Sequence, residues 1–207
     1  MKGFAKNFQK KVEPRRLKIC LGIPNTGTVR IETLLSVAAI LSKTQHDIYI
    51  AYRTGCYIEQ NRTELIKTAI REKCDKIFFL DADIMVEGDV INKLLASGKP
   101  VVGAAYNNRS FPLYSNVKIA DETGKLIEVP ELPKELFKAA GVPTGAMLVD
   151  IETVKKLPEP WFDLEYFEDG SLKTGEDIFF CYKLRDAGVE VWCDPTIQIG
   201  HVGTYVY

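Results

Sequence analysis

The sequence predicts an α/β fold: a central, mostly parallel sheet flanked by helices, with a smaller antiparallel part. Three observations carry this. Through the first hundred residues, short strand-like runs alternate with helical patterns, as βαβ units require. One run, KIFFL at 76–80, is nearly all apolar, as expected for a central strand covered on both faces. After residue 106 the pattern breaks into turn residues, prolines and short alternating pieces.

In chain order, LKICLGI (17–23) alternates Leu17, Ile19, Leu21 and Ile23 and predicts a strand. PNTGT (24–28) is turn chemistry, and RIETLLSVAAILS (30–42) is a run of good helix formers. DIYIAY (47–52) predicts a second strand. EQNRTELIKTAIREK (59–73) predicts a helix, with Leu65 and Ala69, and Ile66 and Ile70, at i, i+4 spacing. After the strand at 76–80 come a helix at 88–97, with Gly98 as its C-cap residue, and a strand at 99–106. The stretch 107–140 reads as a long excursion with a hairpin turning at DETGK. GAMLVD (145–150) predicts a strand, IETVKKL a short helix, and EDIFFCYKLRDAG (176–188) a helix ended by Gly188. VEVWCD and TIQIGH close the chain as strands.

The chain has 207 residues, 46% of them hydrophobic and 27% charged, which fits one sizeable globular domain over 17–207. A net charge of -1 gives no electrostatic case for nucleic acid. The leader 1–16 is basic: Lys2, Lys6, Lys10, Lys11, Arg15 and Arg16 stand against Glu13 alone. It fits a solvated, partly disordered segment or, alternatively, an arm for peripheral contact with an anionic membrane or partner. No run approaches the roughly 18 to 20 apolar residues of a membrane span, and no signal peptide is visible. Five scattered cysteines without a CxxC pair predict reduced thiols and a cytoplasmic protein.

The chemistry concentrates in IFFLDADIMV (77–86). Asp81 and Asp83 follow the third predicted strand, and ligands of open α/β sheets bind at the carboxyl ends of strands. In an extended chain the two carboxylates face one side, a concentrated negative point suited to a hard divalent cation carrying phosphate oxygens. The plainer alternative is that one caps the next helix while the other is solvated. Glu176 and Asp177 form a second pair. They suit either a capping-box-like helix start, with Thr174 as N-cap and Asp177 at N3, or a general base held at a helix start. His201, between Gly200 and Val202 in IGHVG, sits where a neutral imidazole suits a manganese-like metal. Neither a P-loop nor a dinucleotide fingerprint is present.

In this order the pieces resemble a GT-A-type glycosyltransferase, closest to the family 2-like transferases. The matching stretches are LGIPNTGTV, NRTELIKTAI, IFFLDADIMV, VPTGAMLVDIETVKKL, GEDIFFCYKLRDAGVEVWCDP and IGHVG, over roughly residues 17 to 203. The resemblance implies a GT-A-like nucleotide-diphospho-sugar transferase fold, with a nucleotide-binding half (17–106) and an acceptor-side half (107–207). It implies a UDP or GDP sugar as donor, its diphosphate held by Mn²⁺ or Mg²⁺. Asp83 and His201 would ligate the metal, with Asp81 near the ribose and the metal's waters. Pro24, Asn25, Thr26 and Arg62 would border the nucleotide. Asp177 would take the acceptor's proton, supported by Glu176, in an inverting, single-sugar transfer to a saccharide, lipid-linked or protein acceptor. The QxxRW-type element of processive synthases is missing, and the stretch 107–140 matches nothing in the family pattern. Tyr106, Arg109, Tyr114, Trp161 and Tyr166 are candidates for sugar stacking or for ordinary packing or surface positions.

Three rivals stand beside this. A sugar-nucleotide pyrophosphorylase-like nucleotidyltransferase would need a glycine-rich, basic signature where GIPNTGTVRIET stands. A DxD phosphatase would carry its nucleophile after the first strand. A non-catalytic nucleotide-sugar-binding module would keep affinity without turnover.

Overall fold

The computed structural model describes residues 15–109, 114–124, 126–129 and 131–203. Most of the basic leader lies outside the described residues. Of its cations, Arg15 pairs with Asp75 at 2.7 Å and Arg16 with Asp47 at 2.8 Å, both on the surface.

The elements run β1 (Lys18–Asn25), α1 (Ile31–Lys43), β2 (Asp47–Thr54), α2 (Ile58–Arg71), β3 (Lys76–Leu80), β4 (Ile84–Val86), α3 (Val90–Ala96) and β5 (Val101–Ala104). They continue with β6 (Lys118–Ala120), β7 (Leu126–Glu128), β8 (Phe137–Ala139), β9 (Ala146–Asp150), α4 (Ile151–Val154), β10 (Glu165–Tyr166), β11 (Leu172–Thr174), α5 (Glu176–Asp186), β12 (Val191–Asp194) and β13 (Ile199–His201).

Seven strands form one sheet in the order β2-β1-β3-β9-β5-β12-β8. β2, β1 and β3 are mutually parallel, as the βαβαβ pattern predicts, and β12 lies parallel to β5. β9 is inserted antiparallel to both β3 and β5, and β8 antiparallel to β12. Five strands therefore share one direction. The chain has a mixed α/β fold whose large, mostly parallel central sheet is flanked by helices.

Alternation along β3 explains the two cores. Ile77 and Phe79 join α2 and α5 on one face, while Phe78 and Leu80 join α1 and α3 on the other. The hairpin expected around DETGK forms between β6 and β7, with Gly124 at φ +84° supplying the turn. Gly98 and Gly188, at φ +66° and +75°, follow α3 and α5 as expected. Four cysteines are buried, Cys56 is exposed, and none forms a disulfide. Among the described residues no helix is long and apolar enough to cross a membrane.

Candidate active site

The site begins where β3 ends. Asp81, Ala82 and Asp83 do not continue the strand: the Ile84 N–H donates to the Asp81 carbonyl at 3.1 Å, closing a tight turn. This corrects the expectation of an extended Asp-Ala-Asp segment with both carboxylates forming one negative point. The turn sends each carboxylate to its own cation, and neither caps the following helix.

Asp81 meets Arg62. Along α2, Arg62 shares the inward face with Leu65, Ile66 and Ala69. The guanidinium carbon lies 5.9 Å from the Phe79 ring centroid, and the side chain is only 4% exposed. Its Nη1 and Nη2 donate to the two Asp81 oxygens at 2.9 and 3.1 Å, and its Nε approaches Glu176 Oε1 at 3.3 Å. Burial alone would pull the guanidinium down, but Asp81 and Glu176 more than offset it and hold it above its ordinary value. Arg62 thus lies behind Asp81 as a brace, rather than on the cavity wall where it was expected to border a nucleotide.

Asp83 meets two partners. Arg109 Nη1 donates to Oδ2 at 2.7 Å, and His201 Nε2 lies 3.7 Å from the same oxygen. His201 is delivered by β13, which pairs antiparallel with β4 so that His201 stands opposite Ile84. The Val202 N–H then donates to the Asp83 carbonyl at 2.8 Å. The His201 ring packs edge-on against Tyr106, and its Nδ1 lies 2.9 Å from the Asn107 carbonyl. A carbonyl only accepts, so Nδ1 carries a proton, and Nε2 is the ring nitrogen that faces Asp83. A carboxylate oxygen and an imidazole nitrogen so placed are a donor pair for a divalent cation. The mixed oxygen and nitrogen donor set suits Mn²⁺, and Mg²⁺ also takes sites with few protein ligands, completed by water and phosphate. Among the described residues no group of three or more His, Cys, Asp and Glu side chains encloses a metal site. Two protein donors are what the site offers.

Both aspartates line a cavity of about 360 Å³ together with Pro24, Asn25, Thr26 and Arg109. The loop after β1 is held rigidly. Asn25 Oδ1 accepts from Thr54 Oγ1 and the Gly27 N–H, both at 2.9 Å, and Asn61 Nδ2 donates to the Asn25 and Gly55 carbonyls at 3.3 and 3.0 Å. A larger cavity, about 510 Å³, lies between β8 and the C-terminal end of α5, and no predicted site residue lines it. Convergent carboxylates, not volume, single out the smaller one.

Glu176 and Asp177 open α5, but not as a capping box. Gly175 is the N-cap, and the Thr174 hydroxyl donates instead to Glu165 at 2.8 Å across the β10–β11 hairpin. Asp177 Oδ1 accepts from the Ile178 N–H at 2.7 Å. Burial first, then the neighbouring Glu176 charge, push its carboxyl from 3.8 up to about 6, against the pull of Arg62. Gly175 and Ile178, on either side, line another depression of about 460 Å³ shared with Lys118 and Glu128 of the β6–β7 hairpin.

Two residues weighed for sugar stacking, packing or surface positions lie at the site instead. Tyr106 is buried, with its hydroxyl against Gly145 and close to Asp81, and burial, then Asp81, hold its phenol well above the ordinary value. Arg109 is the cation on Asp83. Their placement just past β5, at the carboxyl end of a strand, was the available signal. Asn61 opens the NRTELIKTAI stretch but has no assigned role in the sequence reading. Trp161 is core, its indole N–H donating to the Leu157 carbonyl at 3.1 Å, while Tyr114 and Tyr166 are exposed.

No family model and no curated protein matches the chain. Among solved structures, it is similar to the crystal structure of A197 from STIV, with a TM-score of 0.64 at 17% identity over 91% of this chain and 87% of that one. At that identity the likeness shows the fold alone: a mixed α/β domain built on a mostly parallel sheet.

Proposed function

We propose that this chain is a metal-dependent glycosyltransferase of GT-A-like fold, moving a sugar from a nucleoside-diphosphate sugar to an acceptor hydroxyl. The observation that carries this reading is the Asp83–His201 pair. A carboxylate oxygen and an imidazole nitrogen stand 3.7 Å apart beside a cavity that Asp83 also lines. Asp83 and His201 would hold Mn²⁺ or Mg²⁺. When bound, the ion supplies Lewis-acid charge to a departing diphosphate. Pro24, Asn25 and Thr26 would border the nucleotide on their rigid loop, and Arg62 would keep Asp81 aimed. Asp177 is suited to a general base near neutral pH, since burial and the Glu176 charge raise its carboxyl to about 6. It would accept the acceptor's proton as the acceptor oxygen bonds to the anomeric carbon and the carbon–diphosphate bond breaks. The product is inverted, and the nucleoside diphosphate leaves. The depression beside Gly175 and Ile178 would take the acceptor.

The experiment is a thermal-shift panel of UDP, GDP, CDP and dTDP with and without Mn²⁺, on the parent and Asp83→Ala, followed by transfer assays on the parent and Asp177→Asn. A melting-point rise that needs one nucleotide, Mn²⁺ and Asp83 together supports the donor site. Nucleotide binding without any transfer by the parent would favour a non-catalytic binding module. No rise with any nucleotide would remove the reading.

A further inference from the structure

Arg109 occupies the position that the proposed cation needs. Its Nη1 lies 2.7 Å from Asp83 Oδ2, the same oxygen that faces His201 Nε2 at 3.7 Å. One carboxylate oxygen does not serve a guanidinium and a divalent ion equally well, because each takes the lone-pair density the other needs and the two cations repel. Metal binding at Asp83 therefore displaces Arg109 from its partner.

Where the arginine goes is limited by its anchorage. Arg109 follows Asn107, whose carbonyl holds His201, and the Asn108 N–H donates to the Tyr114 carbonyl at 3.0 Å. The base of the segment is fixed, but the side chain is half exposed, 52% against 27% for Asp83. Its stem passes Gly203, where a Cβ would come within 3.8 Å of Arg109 Cδ. The guanidinium also lines the cavity with Pro24, Asn25 and Thr26, so a small swing leaves it facing the cavity. A diphosphate brought in with the metal would offer oxygens to a planar, bidentate donor there.

We propose that Arg109 is a counter-ion latch that exchanges partners. It neutralises Asp83 in the free protein, yields that oxygen to a divalent cation, and then binds the diphosphate of the incoming nucleotide. This rests on the donor-site reading above. It makes one residue a competitor of the metal and a ligand of the nucleotide, so its removal changes the two affinities in opposite directions.

The test is calorimetry and Mn²⁺ electron paramagnetic resonance on the parent, Arg109→Ala, Arg109→Lys and Asp83→Ala. MnCl₂ alone is titrated first, then UDP and GDP at saturating Mn²⁺. Arg109→Ala is expected to bind Mn²⁺ alone about two- to fivefold more tightly, the range an exposed ion pair commands. It is expected to bind the nucleoside diphosphate at least about tenfold more weakly, having lost charged hydrogen bonds. Arg109→Lys, with charge but no fork, falls between. Affinities that move together, or not at all, in a parent that binds both ligands overturn the latch while leaving the donor site standing. A parent that binds neither Mn²⁺ nor a nucleotide overturns the donor site and the latch with it.

Discussion

Around Arg62 a single buried cation faces Asp81 and Glu176 directly, with Asp177 in the same field. Removing it strands two carboxylates. Arg62→Met is expected to destabilise the fold by about 3–5 kcal/mol in urea unfolding, and Arg62→Lys to recover only part, because lysine lacks the bidentate fork. Asp177 works in the other direction. Its carboxyl is raised from 3.8 to about 6, so the folded state holds the proton more tightly than the unfolded chain does. That stabilisation is complete below about pH 4 and is lost as pH rises through about 6, levelling off at roughly 3 kcal/mol. Asp177→Asn, permanently neutral and still able to accept from Ile178, is expected to melt above the parent at about pH 8. The gap should close as pH falls toward about 4. Equal pH dependence in the two proteins would place the shifted group elsewhere. Gly145 is the third sensitive position. A Cβ there would run into the Tyr106 hydroxyl and stand 2.8 Å from Asp81 Oδ2. If the proposed donor site holds, Gly145→Ala is expected to lose nucleotide binding before it loses the fold, as binding and circular dichroism measured together would show.

The elements that place these residues are joined by few bonds, each easy to identify. The Arg30 N–H donates to the Ala82 carbonyl at 2.8 Å, tying the start of α1 to the Asp81–Asp83 turn. Ser36 Oγ accepts from the Val86 N–H at 3.0 Å and donates back to the Glu32 carbonyl at 2.9 Å, tying α1 to β4. Ser36→Ala leaves that buried N–H unpaired and is expected to cost about 1–3 kcal/mol, with faster hydrogen exchange at Val86. Periodicity made the long elements legible: β1, β2, β3, α1, α2 and α5 lie within two residues of their expected ends. It did not show β4, β8 or the β10–β11 pair, because two or three residues hold no period and their pairing depends on partners far along the chain. The aspartates were legible as a motif, but their separate cations were not. A tight turn at Asp81, not an extended chain, decided where each carboxylate points, and Arg109 had no motif to announce it.

At the scale of the molecule, α1 turns an apolar stripe to solvent: Ile31 is 62% exposed and Leu35 63%, with Leu34 and Leu41 beside them. With a net charge of only -1, such a surface favours self-association. Ile31→Lys combined with Leu35→Lys is expected to raise the solubility limit in light scattering while shifting stability by no more than about 0.5 kcal/mol. The sheet itself was predicted in its parallel half. The reversal of β9 was not, since strand direction leaves no trace in apolar spacing.

That reversal reaches beyond packing. Because β9 runs against β3 and β5, with Ala146 opposite Leu80 and Met147 opposite Gly103, the chain re-enters the sheet at the edge it left after β5. Tyr106 and Gly145, the two ends of the intervening segment, touch there. The tip of the β6–β7 hairpin is the part of that segment free to change in length, because β8 belongs to the central sheet and Asn107 and Arg109 hold His201 and Asp83.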